Sequence, residues 1–403
     1  MNRDLIVTLN AGSSSLRCAV FARGAGDPDA WLRLSLRGLP DAMDWTREDA
    51  RTGERRQEAL APPRDRDTAQ AAALSEMKKR LLAEVPAARI AAVSHRVVHG
   101  GRDYTAPVAL TDEVRERLAA LSPLAPSHQP HNLAAIGDLA VAFPDIPQVA
   151  CFDTAFHRTL APADRVFALP RELAGAGVVR YGFHGLSYEY VAGALHRLAP
   201  EVAGGRVIIA HLGHGASMCA LSEGRSVATT MGMTALDGLP MGRRPGALDP
   251  GVVLHLIEQR GMSAREVREM LYQRSGLLGI SGISSEMDEL LNSDAPEARE
   301  AVDVFVYRCR REIGSLAAAL GGLDALVFTG GIGENAPQIR ARICAGLGWL
   351  GLALDETANA GGACRIAAAD AGVAAFMIPT DEESVLAQGA ARVLGGGAGR
   401  AIR

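Results

Sequence analysis

The sequence has few aromatic residues, few cysteines, no long apolar run and no excess of basic residues. Only 4% of its 403 residues are aromatic, and its six cysteines include no CxxC pair. Neither a zinc site of paired cysteines nor a disulfide framework is therefore predicted. No apolar run approaches the roughly 20 residues of a membrane span, and a net charge of −4 predicts no basic surface for nucleic acid or lipid. We therefore expect a cytoplasmic α/β protein without nucleic-acid or membrane partners.

What the sequence does contain is glycine and small apolar residues. It has 44 glycines and is 48% hydrophobic, which permits close packing of helices and strands and many tight turns. The length is sufficient for two sizeable hydrophobic cores.

The stretch "LIVTLNAGSSSLRCAVF", Leu5 to Phe21, predicts two antiparallel strands joined by a polar turn. A turn requires a glycine or an asparagine, but not three serines in succession. Shifted by 201 positions, Asn10 falls on His211, Gly12 on Gly213 and Cys18 on Cys219. This self-similarity predicts that the two halves of the chain contain the same strand-turn-strand unit.

Three glycine-rich turns follow apolar strands: "NAGSSS", "HLGHGAS" and "TGGIGEN". Glycine lets backbone N–H groups approach an anion without a Cβ in the way. Each turn alone is equally well explained as a tight connection, but three of them favour phosphate binding. None fits the G-x-x-x-x-G-K-[ST] pattern, so a P-loop is excluded.

Acidic and basic side chains follow several predicted strands. Asp153 ends the strand before "TAFH", and Glu382 follows "IPTD". Mg²⁺ needs only one or two carboxylates beside nucleotide phosphates, although many strand-end acids simply cap helices.

Three basic side chains lie beside glycines: Arg96 in "SHRVVHGG", Arg244 in "GLPMGRRPG" and His184 in "YGFHGLS". They are candidates for anion binding, against the alternatives of surface arginines and a structural histidine.

Elsewhere the pattern predicts helices over Ala69–Glu84 and Pro296–Leu320 and a strand over Ala325–Thr329. Residues 27–68, rich in Arg, Asp and Pro, are expected to form exposed loops and edge strands with some local disorder.

Taken together, the motifs resemble the acetate kinase family of acyl-phosphate-forming kinases. They are "NAGSSSL", "HRVVHGG", "FDTAFH", "RYGFHG", "HLGHGAS", "GLPMGRRPGALDPG", "SGLLGISGISSEM", "FTGGIGEN" and "IPTDEE", in the family's order. The resemblance implies a duplicated ribonuclease-H-like fold of the actin/Hsp70/sugar-kinase superfamily, with two α/β domains around a central cleft. The implied domains are 1–150 with the C-terminal helix at about 384–403, and a nucleotide-binding domain at 151–383.

The resemblance also implies the reaction. ATP and a short carboxylate would give ADP and an acyl phosphate by direct in-line transfer, with Mg²⁺, or Mn²⁺ as an alternative, in a homodimer. Asn10 and Glu382 would hold the metal, with Asp153 as the essential acid near it. Arg96 and Arg244 would bind the carboxylate and the migrating phosphoryl group, and His184 would donate to the phosphoryl oxygens.

The resemblance implies two further sets of contacts. The acyl pocket would comprise Arg96, Val98, Ser127, Phe183 and Ala235. The nucleotide contacts would be Ser13, Ser15, Arg17, His211, Leu212, Gly213, His214, Gly215, Glu286, Met287, Asp288, Gly331, Ile332, Gly333, Glu334 and Asn335.

Several residues depart from the family's usual pattern. Ser127 and Ala235 replace a larger Leu and a Pro at the acyl pocket, while His214 replaces an Asn and Asp288 an Arg at the nucleotide. Tyr188 stands where a second His is usual. A roomier pocket leaves a propionate or other short-chain acyl kinase as an alternative to acetate. A non-catalytic nucleotide switch of the actin/Hsp70 type is the alternative from another class, although it needs no carboxylate-binding arginines.

Overall fold

The computed structural model describes residues 4–12, 15–23, 30–39, 42–62, 68–126 and 128–396. It divides into two compact units. The first runs through Ala155 and resumes at Asp381, and the second comprises Phe156–Thr380.

The described residues form thirteen strands and sixteen α-helices. The strands are β1 (Leu5–Ala11), β2 (Ser15–Ala22), β3 (Ala30–Arg37), β4 (Met43–Asp49), β5 (Arg55–Leu60), β6 (Ile90–Val97), β7 (Val108–Ala109), β8 (Gln148–Phe152), β9 (Arg206–Leu212), β10 (Ala216–Ser222), β11 (Arg225–Thr229), β12 (Ala325–Thr329) and β13 (Ala374–Met377). The helices are α1 (Ala69–Glu84), α2 (Asp112–Ala120), α3 (Gln129–Ala142), α4 (Pro162–Arg165), α5 (Arg171–Gly175), α6 (Gly185–Leu198), α7 (Pro200–Ala203), α8 (Pro250–Glu258), α9 (Ala264–Gln273), α10 (Gly276–Ser281), α11 (Met287–Leu291), α12 (Pro296–Leu320), α13 (Gly330–Asn335), α14 (Pro337–Ala345), α15 (Glu356–Ala360) and α16 (Glu382–Leu394).

The first unit is built on a sheet with the strand order β5-β4-β3-β2-β1-β6-β8-β7. β1 pairs antiparallel with β2 and parallel with β6, and β6 pairs parallel with β8. Apolar residues of α1 and α3 form a core with β1 to β4, while α16 packs against β1, β6 and β8. The carboxyl ends of three parallel strands therefore lie side by side at one edge of this sheet.

The second unit has a five-stranded sheet with the order β11-β10-β9-β12-β13. Its hairpin β9–β10 matches β1–β2, because the bounds of β1 shifted by 201 positions coincide with those of β9. In both units the hairpin is followed in the sheet by two parallel strands. The α/β class and the duplicated strand-turn-strand unit are thus confirmed.

The expectation for residues 27–68 is wrong in part. β3 and β4 are inner strands, and Leu32, Leu34, Leu36 and Trp45 belong to the core of the first unit. The sequence conceals this because the buried leucines of β3 alternate with the partly exposed polar residues Arg33 and Ser35, so the stretch has a polar average composition. Residues 27–29, 40–41 and 63–67 of this stretch lie outside the described residues.

Other local predictions are confirmed. α1, α12 and β12 have the predicted bounds. The C-terminal helix is Glu382–Leu394, and residues 397–403 lie outside the described part of the chain.

Candidate active site

Three predicted site residues of the first unit lie at the carboxyl ends of adjacent parallel strands. Asn10 is near the end of β1, Arg96 near the end of β6, and Asp153 directly follows β8. Glu382 reaches the same group from the first turn of α16. The parallel pairing of β1, β6 and β8 is what brings these distant residues together.

These four residues form one hydrogen-bonded group, which we call the Arg96 cluster. Arg96 Nη2 donates to Asp153 Oδ2 at 2.6 Å, and Nε lies 3.1 Å from both carboxylate oxygens. Arg96 Nη1 donates to Asn10 Oδ1 at 3.2 Å, and Asn10 Nδ2 donates to Glu382 Oε2 at 2.7 Å. Asn10 therefore connects the cation to the second carboxylate.

The Arg96 cluster holds its charges away from solvent. Only 14% of the Arg96 side chain and 1% of that of Asp153 are exposed. Burial by itself would lower the pKa of the Arg96 guanidinium, but attraction to Asp153 and Glu382 outweighs it and raises the pKa. The arginine is thus a permanent cation. Its ion pair matters because an unpaired buried charge would be far costlier than this pair.

Residues that the sequence did not single out support this cluster. Asp381 accepts a hydrogen bond from Ser384 N at 3.1 Å, which caps α16, and pairs with Arg33 at 2.5 Å. Asn132 Nδ2 donates to Ala11 O at 2.9 Å, and its Oδ1 accepts from Val98 N at 3.0 Å. The "IPTDEE" motif contained a signal for Asp381, since an acid before a helix is a common cap. Nothing in the sequence indicated its Arg33 partner.

In the second unit, His184 lies in a turn with unusual backbone geometry. It precedes α6 with φ +57°, and Gly182 has φ +73°. A left-handed conformation in a residue other than glycine costs about 1–3 kcal/mol and is concentrated at functional sites. His157 stabilises the turn, since its Nε2 donates to Phe183 O at 2.9 Å. A Cβ at Gly182 would lie 2.5 Å from the His157 ring, so glycine is required there.

The His184 ring is fixed by its neighbours. Nδ1 lies 2.8 Å from Ser217 Oγ, which lies 2.5 Å from the Tyr188 hydroxyl. The ring stacks on His211 with centroids 4.3 Å apart, and Ser187 Oγ lies 2.8 Å from His211 Nδ1.

Arg244 lies beside the same imidazole. A Cβ added to Gly215 would be 2.8 Å from Arg244 Nη2 and 3.2 Å from His184 Nε2, so both side chains border this glycine. Arg244 Nη1 donates to Ala235 O at 2.7 Å, which orients the guanidinium. The second unit therefore groups a cation, an imidazole and a glycine-rich turn, a set of donors that suits phosphoryl oxygens.

The predicted nucleotide-binding residues of the second unit lie in adjacent segments. Gly213 N donates to Gly215 O at 3.1 Å within the β9–β10 turn, and a Cβ at Gly213 would lie 3.7 Å from Gly331 N. His214 Nδ1 lies 3.2 Å from Glu286 Oε1. The turn, the start of α13 and the residue before α11 are thus neighbours.

Side-chain hydrogen bonds to the backbone hold the α13 segment in place. Glu334 Oε1 accepts from Gly330 N at 2.9 Å and from Thr380 N at 3.1 Å, and Asn335 Nδ2 donates to Gly331 O at 2.9 Å. Arg340, only 1% exposed, donates to the carbonyls of Gly333 and Glu334. The Glu334 carboxylate thus closes the first turn of α13. No motif in the sequence pointed to Arg340.

The remaining predicted residues fall into three groups. Leu212 and Met287 are buried in the core, whereas Asp288 is exposed and Ile332 partly so. Val98 is buried in the first unit, and Phe183 is buried and Ala235 partly buried in the second. Ser15 is partly buried and Arg17 exposed on β2, and Ser13 and Ser127 lie outside the described residues.

Comparison with known proteins matches this arrangement to one group of enzymes. The model of the acetokinase family matches residues 5–388. The acetate kinase of Rhodopseudomonas palustris is 51% identical over 399 residues, covering 98% of this chain and 99% of that protein. The crystal structure of Porphyromonas gingivalis acetate kinase has a TM-score of 0.82 at 32% identity and covers 97% of this chain and 100% of its own. That of a propionate kinase from Francisella tularensis has a TM-score of 0.85 at 33% identity, with coverage of 96% and 98%.

Fold and site define a phosphotransferase of two related α/β units. The chain belongs to the acetokinase family. In the part of the chain that the structure describes, no helix combines the length and the apolar composition needed to cross a membrane.

Proposed function

We propose that this kinase transfers the γ-phosphoryl group of ATP to acetate, reversibly and directly. The observation that supports this most strongly is the Arg96 cluster, in which a buried arginine, an amide and two carboxylates are linked. A non-catalytic nucleotide switch would have no use for a buried arginine at this position. The 51% identity to an acetate kinase over nearly the whole chain supports acetate as the acceptor.

The donor set of the Arg96 cluster fits Mg²⁺, which prefers oxygen ligands and keeps most of its waters. Asn10 Oδ1 and the Glu382 carboxylate are oxygen donors held together by the 2.7 Å hydrogen bond between the two side chains. We infer that these two residues hold the ion, and Mn²⁺ would satisfy the same ligands. When bound, the ion would neutralise charge on the ATP phosphates.

Acetate needs no general base, because its carboxylate is ionised at pH 7. Transfer through a loose transition state needs positive charge and donors around the three equatorial phosphoryl oxygens. Arg96, Arg244 and His184 supply these groups. Asp153 holds the Arg96 guanidinium through Nε and Nη2, so its part in the reaction is to orient the cation.

The test is acyl-phosphate formation from ATP and Mg²⁺, trapped as the hydroxamate, with acetate, propionate and butyrate in parallel. A kcat/KM for acetate well above the others is the expected result. A value for propionate equal to or above that for acetate would keep the mechanism and change the acceptor, because one methylene is worth only about 1–3 kcal/mol. No product with any acid, from folded protein that binds ATP, would refute the proposal.

Arg96→Ala and Arg244→Ala should each lower kcat by at least ~10²-fold, the usual effect of removing one donor to a developing anion. Arg206→Ala is the matched control, because Arg206 forms an equally short ion pair with Asp324 but is 42% exposed. Near-wild-type turnover in either of the first two variants would remove that arginine from the proposed mechanism.

We further propose that the enzyme is a cytoplasmic homodimer. All six cysteines are free and five are buried, as suits a reducing compartment.

The dimer is suggested by one helix. Helix α8 exposes Val252, Leu254 and Ile257, and exposed apolar residues grouped on one helix favour a protein contact. Light scattering coupled to size exclusion should give twice the 42.3 kDa chain mass, and Leu254→Glu should give the single mass.

A further inference from the structure

Three side chains of the second unit form a continuous hydrogen-bonded chain that ends at the candidate phosphoryl-binding imidazole. The Tyr188 hydroxyl lies 2.5 Å from Ser217 Oγ, and Ser217 Oγ lies 2.8 Å from His184 Nδ1. Tyr188 and Ser217 are both fully buried. The mechanism given above assigns no role to either side chain.

The direction of this chain follows from counting protons. Among the described residues, the Tyr188 hydroxyl has one hydrogen-bond partner, Ser217. If Ser217 donated to Tyr188, the tyrosine proton would be buried without an acceptor, which is costly. Tyr188 therefore donates to Ser217. The hydroxyl of Ser217 then has its single proton left to donate, and His184 Nδ1, at 2.8 Å, is the acceptor within reach.

The same count decides which ring nitrogen of His184 is protonated. Nδ1 accepts the Ser217 proton, so the proton of the neutral imidazole is on Nε2. Nε2 is the atom beside Arg244, since both border Gly215. An imidazole with its proton on Nδ1 would instead direct a lone pair toward the bound phosphoryl oxygens, which would repel them.

We propose that Tyr188 and Ser217 are positioning residues that hold His184 as an Nε2–H donor toward the transferring phosphoryl group. This inference rests on the proposed function for its consequence in catalysis, but the tautomer itself follows from the hydrogen bonds alone. The positioning role explains why the buried Tyr188 hydroxyl is linked to the imidazole through Ser217.

Two further observations agree with it. Burial raises the pKa of Tyr188 well above 10, so its hydroxyl keeps its proton at neutral pH. The stacking of His184 on His211, at 4.3 Å and 23°, fixes the plane of the ring, so that the proton on Nε2 has a defined direction.

The direct test is the ¹⁵N spectrum of wild-type protein labelled at its ten histidines, with His184 assigned by the signals lost in His184→Gln. The expected result at neutral pH is a protonated Nε2 and an unprotonated, hydrogen-bonded Nδ1. A protonated Nδ1 would overturn the inference. The measurement needs no turnover, so a protein inactive on acetate but with the expected signals would refute the proposed function and leave the tautomer assignment standing.

Two variants test the catalytic consequence. Complete loss of a transition-state donor costs ~10²–10³-fold in kcat. Because Ser217→Ala misorients the donor without removing it, we expect about a tenfold lower kcat, an altered Nδ1 signal and little change in KM. Tyr188→Phe should act in the same direction with a smaller effect, and it decides the matter if Ser217→Ala fails to fold. Unchanged kcat in both folded variants would overturn the positioning role.

Ser226→Ala is the matched control for the spectra. Ser226 is also buried, and its Oγ lies 2.9 Å from His157 Nδ1. This variant should change the His157 signals and leave those of His184 in place. An equal change at His184 would show that any buried serine of this sheet disturbs the imidazole, which would overturn the specific role of Ser217.

Discussion

Replacing Asp153 by asparagine removes one charge from the Arg96 cluster with almost no change in shape. Arg96 then keeps its place between β1 and β8 but loses the carboxylate that its Nε and Nη2 contact at 2.6–3.1 Å. We expect this change to reduce both stability and activity, for separate physical reasons.

The stability loss follows from burial. Removing one partner of a buried ion pair costs about 3–5 kcal/mol, because the other charge stays behind uncompensated. Asp153 is 1% exposed and Arg96 14%, so this range applies. Glu382 and Glu383 still attract the guanidinium, and the new amide can accept one hydrogen bond. We therefore expect the low end, about 3 kcal/mol, a large part of the 5–15 kcal/mol that a protein has.

The assay is urea unfolding followed by tryptophan fluorescence. Trp31 and Trp45 lie in the first unit with Asp153, and Trp349 in the second. Trp349 is 71% exposed, so a Trp349→Phe background is harmless and makes the signal report on the first unit alone. This matters because two units need not unfold as one. Activity should fall at least ~10²-fold, since the cation that we propose for phosphoryl binding is no longer held in place.

Asp4→Asn is the matched control. Asp4 contacts Arg89 in the same unit through two hydrogen bonds of 2.8 and 3.1 Å, but both side chains are 42% exposed. Because water screens this pair, the unfolding midpoint should not move measurably. Equal stability of Asp153→Asn and Asp4→Asn would show that burial does not make the Arg96 cluster costly to break.

Other predictions concern single residues. Burial lowers the pKa of His95 to about 4, so the contribution of the neutral ring to stability is full above pH 6.5 and is lost as pH falls toward 4. Over that pH range the free energy of unfolding, measured by urea titration, should fall by about 3 kcal/mol less in His95→Gln than in the wild type. Gly215→Ala should lower kcat, because its Cβ would displace the Arg244 and His184 side chains, whereas Gly204→Ala, with open space, should not. Arg340→Met should destabilise by at least about 3 kcal/mol in urea, because the carbonyls of Gly333, Glu334 and Asn359 lose their donor. Arg342→Met, at a side chain that is 40% exposed, should be far milder.

Local features were predictable because neighbouring residues determine them. The bounds of α1 and α12 follow from apolar spacing and from a proline at the start of α12. The duplicated hairpins follow from matching residues 201 positions apart. For β3 the prediction was wrong, because Arg33 and Ser35 between its buried leucines made the strand look exposed.

The residues of the Arg96 cluster could be named from the sequence as candidates, but their contacts could not. Motif resemblance named Asn10, Arg96, Asp153 and Glu382 before any geometry. It could not indicate that Asp153 contacts Arg96 by three hydrogen-bond distances, or that Arg33 pairs with the cap of α16.

The sequence was sufficient to predict both hairpins, the glycine-rich turns and the kinds of side chain at the strand ends, because these depend on residues a few positions apart. Which polar groups meet was visible only in the folded chain. Asn10 and Glu382 are 372 positions apart, and Tyr188 and Ser217 lie on a helix and a strand. A hydrogen bond requires two atoms within about 3 Å, and only the pairing of strands and the packing of helices on them fix such distances.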